Sequence, residues 1–153
     1  MAITATTHLN FRGDARRALE FYQSVFGGHL TVVAYGDFGM PKELPDADKV
    51  VFGQVTAENG FSIMAYDAPG QSPATTTPTA TTRANGMTLT GERFFVAVSG
   101  DTAEEVSVLW DRLAEGAEII EKYGPSQFAP GFGMLTDRFG VTWILQVDVT
   151  PGG

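Results

Sequence analysis

Residues 8–28 read HLNFRGDARRALEFYQSVFGG, and they predict a strand followed by a helix. Polar and apolar residues alternate over Thr7–Phe11, which is the pattern of a half-buried strand. Asp14 then stands where a helix N-cap is expected. From residue 15 to about residue 26 the apolar side chains recur at helical spacing and form one stripe that can pack on a sheet. The pair Gly27-Gly28 is a typical helix stop.

Three further strands complete a first βαβββ unit. Valine and threonine favour a strand from Leu30 to Tyr35. Strands are also expected at Lys49–Thr56 and Phe61–Tyr66, because the dipeptide Asn59-Gly60 between them predicts a tight hairpin turn. These elements assign residues 1–68 to a first module.

A change of composition follows the first unit. Residues 69–92 contain eight threonines and three prolines, with no large apolar residue before Met87. This composition indicates a flexible linker or a long surface loop, and Met87-Thr88-Leu89 could add an edge strand near its end.

The strand and helix pattern then restarts and assigns residues 93–153 to a second module. Asp101 takes the cap position of a sequence that resembles a capping box, and a helix is expected from there to about residue 114. Strands are expected at Arg93–Val98, Ala117–Tyr123, Gly133–Thr136 and Val141–Val149. Gly13 matches Gly100 at a shift of 87 residues, and Gly60 matches Gly140 at a shift of 80. The chain therefore reads as two diverged copies of one unit, which together bury the apolar faces that neither buries alone.

Charge and composition exclude several classes of function. The net charge is −8, so nucleic acid and membrane surfaces are not expected partners. The sequence has no cysteine, which excludes disulfides, thiolate metal sites and cysteine nucleophiles and fits a cytoplasmic location. Neither a membrane-spanning run nor a signal peptide is expected from the apolar pattern.

The two-module layout resembles the vicinal oxygen chelate superfamily of glyoxalases, bleomycin-resistance proteins and extradiol dioxygenases. Three places look like its PhnB-like branch: the opening His8–Ala15 with Ala18–Tyr22 and Val25–Gly28, Asp67 after Ile63–Tyr66, and the closing hairpin Phe132–Trp143. The resemblance implies an α+β fold in which two βαβββ modules form curled mixed sheets around a cleft, with the helices on the outer face. Some relatives carry a demethylubiquinone methyltransferase label, but this sequence has no Gly-rich strand-to-helix turn that could bind S-adenosylmethionine.

The resemblance also implies where a metal would sit. Metal-dependent members of the superfamily supply one ligand from the first strand and one from the last strand of each module. Those positions hold His8, Met64, Phe95 and Ile144 here, so only one of the four is filled by a ligand residue. No metal or other cofactor is therefore expected. A metal held by other residues or completed by a partner subunit is the alternative.

The same alignment predicts the lining of a small-molecule site. Asn10 points the same way as His8 because side chains alternate along a strand, while Leu9 and Phe11 face the helix. The predicted ligand-binding residues are His8, Asn10, Phe52, Gln54, Met64, Tyr66, Phe95, Ile144 and Gln146. His8 is the one candidate for acid/base catalysis. The alternative is a strand histidine whose hydrogen bonds are satisfied.

These features predict a small-molecule-binding protein of the glyoxalase/bleomycin-resistance type that lacks the usual metal site, and they leave enzymatic activity open. One alternative is a metal-dependent lyase, isomerase or dioxygenase of the same superfamily. A second is a dimeric structural or regulatory protein with no ligand. The resemblance implies a homodimer, since members commonly pair modules, sometimes across subunits.

Overall fold

A computed structural model describes residues 3–70 and 81–148. The contacts divide the chain into two compact units, Met1–Thr76 and Thr77–Gly153, called module one and module two below. The predicted α+β class and both predicted βαβββ modules are confirmed within the described residues. Neither described helix is long and apolar enough to cross a membrane.

Module one is a four-stranded mixed sheet with one helix on one face. The strands lie in the order β1-β4-β3-β2, with β1 parallel to β4 and the other pairs antiparallel. Its elements are β1 (Thr7–Phe11), α1 (Ala15–Phe26), β2 (His29–Ala34), a 3-10 turn (Tyr35–Phe38), β3 (Val50–Thr56) and β4 (Ser62–Asp67).

Helix α1 packs on this sheet through the stripe that the sequence predicts. Ala18, Leu19, Tyr22 and Val25 are all buried against the sheet face formed by β3 and β4. Leu19 lies over Gly53, where an added Cβ would collide with the leucine Cδ1. The glycine therefore allows the helix to approach the middle of the sheet closely.

Asp67 at the end of β4 fastens three segments of module one together. Its Oδ1 accepts the backbone N–H groups of Gly13 at 2.7 Å and Ala15 at 3.0 Å, and its Oδ2 accepts that of Val50 at 2.9 Å. Asp14 is the N-cap residue of α1, but its side chain caps no backbone N–H. The buried Asp67 carboxylate supplies the acceptor at this helix terminus instead.

Module two has the same arrangement and an additional hairpin. Its four-stranded sheet has the order β7-β10-β9-β8, and β5 and β6 form a separate antiparallel pair. The elements are β5 (Thr81–Ala84), β6 (Met87–Thr90), β7 (Val96–Gly100), α2 (Ala103–Leu113), β8 (Glu118–Gly124), β9 (Phe132–Thr136) and β10 (Thr142–Val147). The N-cap of α2 is Thr102, whose Oγ1 accepts the Glu105 N–H at 3.2 Å, and not Asp101 as the capping-box pattern predicted.

The hairpin corrects the prediction of a linker that extends through residue 92. Residues 81–90 form paired strands, while residues 71–80 of the same predicted linker lie outside the described residues. Asn85 and Gly86 have φ angles of 54° and 75°, which suits the two-residue turns that match the twist of a hairpin. The dipeptide Asn-Gly also predicted the turn at residues 59 and 60, so the sequence contained the signal for a hairpin at residues 85 and 86.

The strand registers also correct the shift between the two copies. Met64 pairs with His8 and Ile144 pairs with Ala97, so the position equivalent to His8 is Ala97 and not Phe95. The first strands are thus 89 residues apart (97 − 8) and not 87. The helices begin 88 residues apart (103 − 15), and the strands differ from them by one because three residues separate β1 from α1, whereas two residues separate β7 from α2.

Candidate functional site

The predicted ligand-binding residues of module one lie on one face of its sheet. Helix α1 covers the opposite face, on which Leu9, Val55, Ile63 and Ala65 are buried. The face away from α1 is called the distal face. It carries the alternate residues of the four strands, which are His8, Asn10, His29, Thr31, Val33, Phe52, Gln54, Thr56, Ser62, Met64 and Tyr66.

The strand registers place these side chains next to one another. His8 is opposite Met64 and Asn10 is opposite Tyr66 across the parallel pair β1 and β4. On the other side of β4, Gln54 is opposite Met64. Met64 is therefore central, with His8 on one neighbouring strand and Gln54 on the other.

His8 is exposed and its ring orientation is set by two neighbours. Its Nδ1 lies 3.0 Å from Asn10 Oδ1, and its ring meets that of Tyr66 edge-on at a centroid distance of 5.4 Å. An amide oxygen only accepts hydrogen bonds, so Nδ1 carries the proton in this pair. In this tautomer the other ring nitrogen, Nε2, carries a lone pair that can accept a hydrogen bond. His8 is thus hydrogen-bonded, and its catalytic role stays a prediction.

The remaining polar groups of the distal face are amides and hydroxyls. Gln54 Nε2 donates to Ser62 Oγ at 3.1 Å, which leaves Gln54 Oε1 as an acceptor. Phe52 is 36% exposed and lies opposite Val33. No Asp, Glu, Lys or Arg belongs to the distal face as defined by these described strands.

Two titratable groups are perturbed beside this sheet. The Tyr35 hydroxyl donates to the Asp67 backbone oxygen at 2.8 Å, and burial, with Tyr66 and Asp67 nearby, raises the pKa of Tyr35. Asp46 pairs with Lys49 at 2.7 Å and accepts the Gly70 N–H at 2.8 Å. These two contacts hold the pKa of Asp46 below its usual value. Both residues fasten loops at the end of β4.

Three of the nine predicted ligand-binding residues, Phe95, Ile144 and Gln146, belong to module two. Ile144 and Gln146 lie on β10 and point away from α2, and Gln146 Nε2 donates to Ser99 Oγ at 3.3 Å. Phe95 is half-buried and immediately precedes β7, so it is not a strand residue. The structure therefore groups six of the nine predicted residues on one face of module one and leaves three in the other module.

The distal face of module two, meaning the face of its sheet away from α2, is occupied by the hairpin β5–β6. Arg83 donates through Nε to Glu121 Oε2 at 2.7 Å, and its guanidinium carbon lies 4.8 Å from the centroid of the Phe132 ring. Thr88 Oγ1 lies 3.9 Å from the sulfur of Met134. Phe132 and Met134 are buried, because the hairpin of the same chain covers this face.

Glu92 fixes the base of the same hairpin. Its carboxylate accepts the Thr142 hydroxyl at 2.8 Å and the Thr81 hydroxyl. Thr142 also shares a hydrogen bond of 2.8 Å with Thr136 on β9. Neither Arg83 nor Glu92 was predicted as a contact residue, because nothing in a threonine-rich segment indicates which strands its side chains will reach.

The residues present do not fit the four-ligand metal site of the superfamily. His8 and Met64 offer an imidazole and a thioether, while Ala97 and Ile144 offer no donor atom. Imidazole and carboxylate are the ligand types that suit Zn, Ni, Fe and Mn. In residues 3–70 and 81–148 no group of three or more His, Cys, Asp or Glu side chains is placed to hold a metal ion.

Comparisons with known proteins agree with this architecture. Residues 7–145 match the family described as the Glyoxalase/Bleomycin resistance protein/Dioxygenase superfamily. Protein YjdN from Escherichia coli strain K12 is 28% identical over 152 residues, which cover 92% of each protein. The structure of protein PA1353 from Pseudomonas aeruginosa is 28% identical with a TM-score of 0.72, and covers 96% of this chain and 98% of that one. The PhnB protein from Bacillus cereus is 27% identical with a TM-score of 0.67, over 95% of this chain and all of that one (100%). The chain therefore belongs to the glyoxalase/bleomycin resistance protein/dioxygenase superfamily and to its PhnB-like branch.

Proposed function

We propose that this protein binds a small organic molecule in the cytoplasm, on the distal face of module one, without the four-ligand metal site of its superfamily. The observation that carries the proposal is the contiguous patch in which Met64 lies between His8 and Gln54, with Asn10 and Tyr66 beside them. Apolar surface with a few convergent hydrogen-bonding groups is the usual composition of a small-molecule site.

The contrast with module two supports this location. Arg83 and Thr88 of the hairpin lie on the distal face of module two and contact Phe132 and Met134. The polar groups of that face are used internally, since Glu92 and Glu121 already have partners. In module one, by contrast, His8 and Asn10 are exposed. One ligand for each chain is therefore the expected stoichiometry.

A fragment screen of the full chain by ligand-observed NMR tests the proposal. Several hits are expected for the wild type, and Met64→Lys is expected to weaken them at least about tenfold, because it places an uncompensated charge in the middle of the patch. Val108→Lys is the matched control, since Val108 is exposed on the outer side of α2. Hits that survive Met64→Lys, or no hits with the wild type, would contradict the proposal.

Metal analysis of the purified protein separates this proposal from a metal-dependent enzyme. We expect less than a stoichiometric amount of Zn, Ni, Mn or Fe for each chain, with no change in His8→Phe. The reason is that the equivalent strand positions supply one imidazole and no carboxylate. One equivalent of a divalent ion that is lost in His8→Phe would favour the metal-dependent alternative.

The homodimer implied by the superfamily is part of the proposal. Light scattering is expected to give about twice the chain mass of 16.4 kDa. A monomeric mass would remove the dimer from the proposal and leave the ligand site in place, because every residue of the patch belongs to module one.

A further inference from the structure

We infer that the ligand of the distal face of module one is an uncharged compound with a flat ring and a hydroxyl group that donates a hydrogen bond to His8 Nε2. This inference rests on the proposed function and names the chemical class of its ligand. It depends on three features of the patch, which are its charge, its hydrogen-bonding groups and their spacing.

The charge of the patch excludes ions. The face carries amide, hydroxyl, imidazole and apolar side chains, with no Asp, Glu, Lys or Arg among its described residues. A charged ligand would lose hydration on binding and find no opposite charge in return. The net charge of −8 adds a repulsion against anions.

The hydrogen-bonding groups are fixed by their internal contacts. Because Asn10 Oδ1 accepts from His8 Nδ1, the other ring nitrogen, Nε2, is the acceptor of this imidazole tautomer, and Asn10 presents the two N–H donors of its amide. Because Gln54 Nε2 donates to Ser62, Gln54 presents its Oε1 acceptor. Two of these three groups accept, so a ligand that donates from a hydroxyl is favoured over one that carries only carbonyl or ether oxygens.

The spacing fits a ring between polar ends. His8 and Gln54 stand on the two strands that flank β4, which places their strand axes about 10 Å apart. Met64 lies between them, and the aromatic rings of Tyr66 and Phe52 stand on the same face. A flat ring over the Met64 thioether would place a polar group at one end near His8 and a polar group at the other end near Gln54.

Three probes of one size test the inference. The first is 4-hydroxyacetophenone, which is uncharged and has a hydroxyl donor. The second is 4-methoxyacetophenone, which lacks the donor, and the third is 4-hydroxybenzoate, which carries a charge in place of the acetyl group. Titrations of the full chain followed by NMR are expected to give the tightest binding for the first probe. The second should bind about three- to tenfold more weakly, and the anion should not bind measurably.

The variant His8→Phe identifies the atom involved, because it keeps an aromatic ring beside Tyr66 and removes Nε2. It is expected to weaken 4-hydroxyacetophenone about fivefold and to leave 4-methoxyacetophenone unchanged. The control is His29→Phe, since His29 is the first residue of β2, at the opposite edge of the sheet from the His8 strand, where it lines a depression with Phe26 and Asn59. This control should alter neither affinity.

The outcomes separate this inference from the proposed function. If 4-hydroxybenzoate binds the patch as tightly as the ketone, or His8→Phe weakens both ketones equally, the ligand class is wrong and a site on this face remains. If none of the three probes binds, the ligand class is also wrong. The proposed function fails as well only when the fragment screen gives no hits or gives hits that survive Met64→Lys.

Discussion

Replacing Asp67 by alanine is expected to destabilise module one by about 4 kcal/mol, because three backbone N–H groups lose their acceptor at once. The carboxylate is 1% exposed and joins Gly13 and Ala15 at the start of α1 to Val50 at the start of β3. Buried donors without partners account for most of the expected loss.

Urea denaturation measures this effect, with two signals that report different parts of the chain. Far-ultraviolet circular dichroism follows both modules, whereas both tryptophans, Trp110 and Trp143, belong to module two. The dichroism of Asp67→Ala should show a transition at much lower urea than the wild type. Asp111→Ala is the control, since Asp111 is exposed on α2 and should change the free energy of unfolding by less than about 0.5 kcal/mol. An Asp67→Ala transition within that margin would contradict the role assigned to Asp67.

Gly133→Ala is expected to destabilise module two by about 2 to 3 kcal/mol through overpacking. A Cβ at this position would lie 2.7 Å from Trp110 Cζ3 and 2.9 Å from Tyr123 Cα. The indole ring of Trp110 is buried beneath its own helix α2, and the Tyr123 Cα is a backbone atom, so neither can move aside at low cost. The equivalent position in module one is Gly53, 80 residues earlier (133 − 53), where Leu19 makes the corresponding contact.

Tryptophan fluorescence during urea denaturation is the appropriate measurement, because Trp110 is the side chain that would be displaced. Gly124→Ala is the matched control. A Cβ at Gly124 would meet nothing within 4 Å, so this variant should unfold at the wild-type urea concentration. Equal midpoints for Gly133→Ala and Gly124→Ala would mean that Trp110 does not lie against Gly133.

Local patterns predicted most of the fold because they depend on neighbours in the chain. The alternation over Thr7–Phe11 and the helical spacing over Ala15–Phe26 gave the observed bounds of β1 and α1. The tertiary roles of polar residues were not predictable in this way. Asp67 reaches Gly13 across 54 residues, and Arg83 reaches Glu121 across 38, and no local pattern encodes either contact.

The repeat was correct as an architecture and misleading as a residue-by-residue guide. Gly13-Asp14 and Gly100-Asp101 match as letters, but the connection before α2 is one residue shorter, so the strand register differs from the sequence shift. The period of two along each strand correctly predicted that His8, Asn10, Met64 and Tyr66 share a face. The chemical class of the ligand could not be predicted in this way, since it depends on which side chains of the patch already form hydrogen bonds within the protein.

Mapping the bound ligand onto backbone amides is the decisive measurement. After assignment of the 15N spectrum of the full chain, titration with the tightest fragment hit should shift amides of β1, β3 and β4. The largest changes are expected at or next to His8, Gln54 and Met64. The hairpin amides of residues 81–90 should stay unchanged, because the distal face of module two is already occupied. Shifts confined to the hairpin, or to the depression around His29, would contradict a ligand site at the patch of His8, Gln54 and Met64.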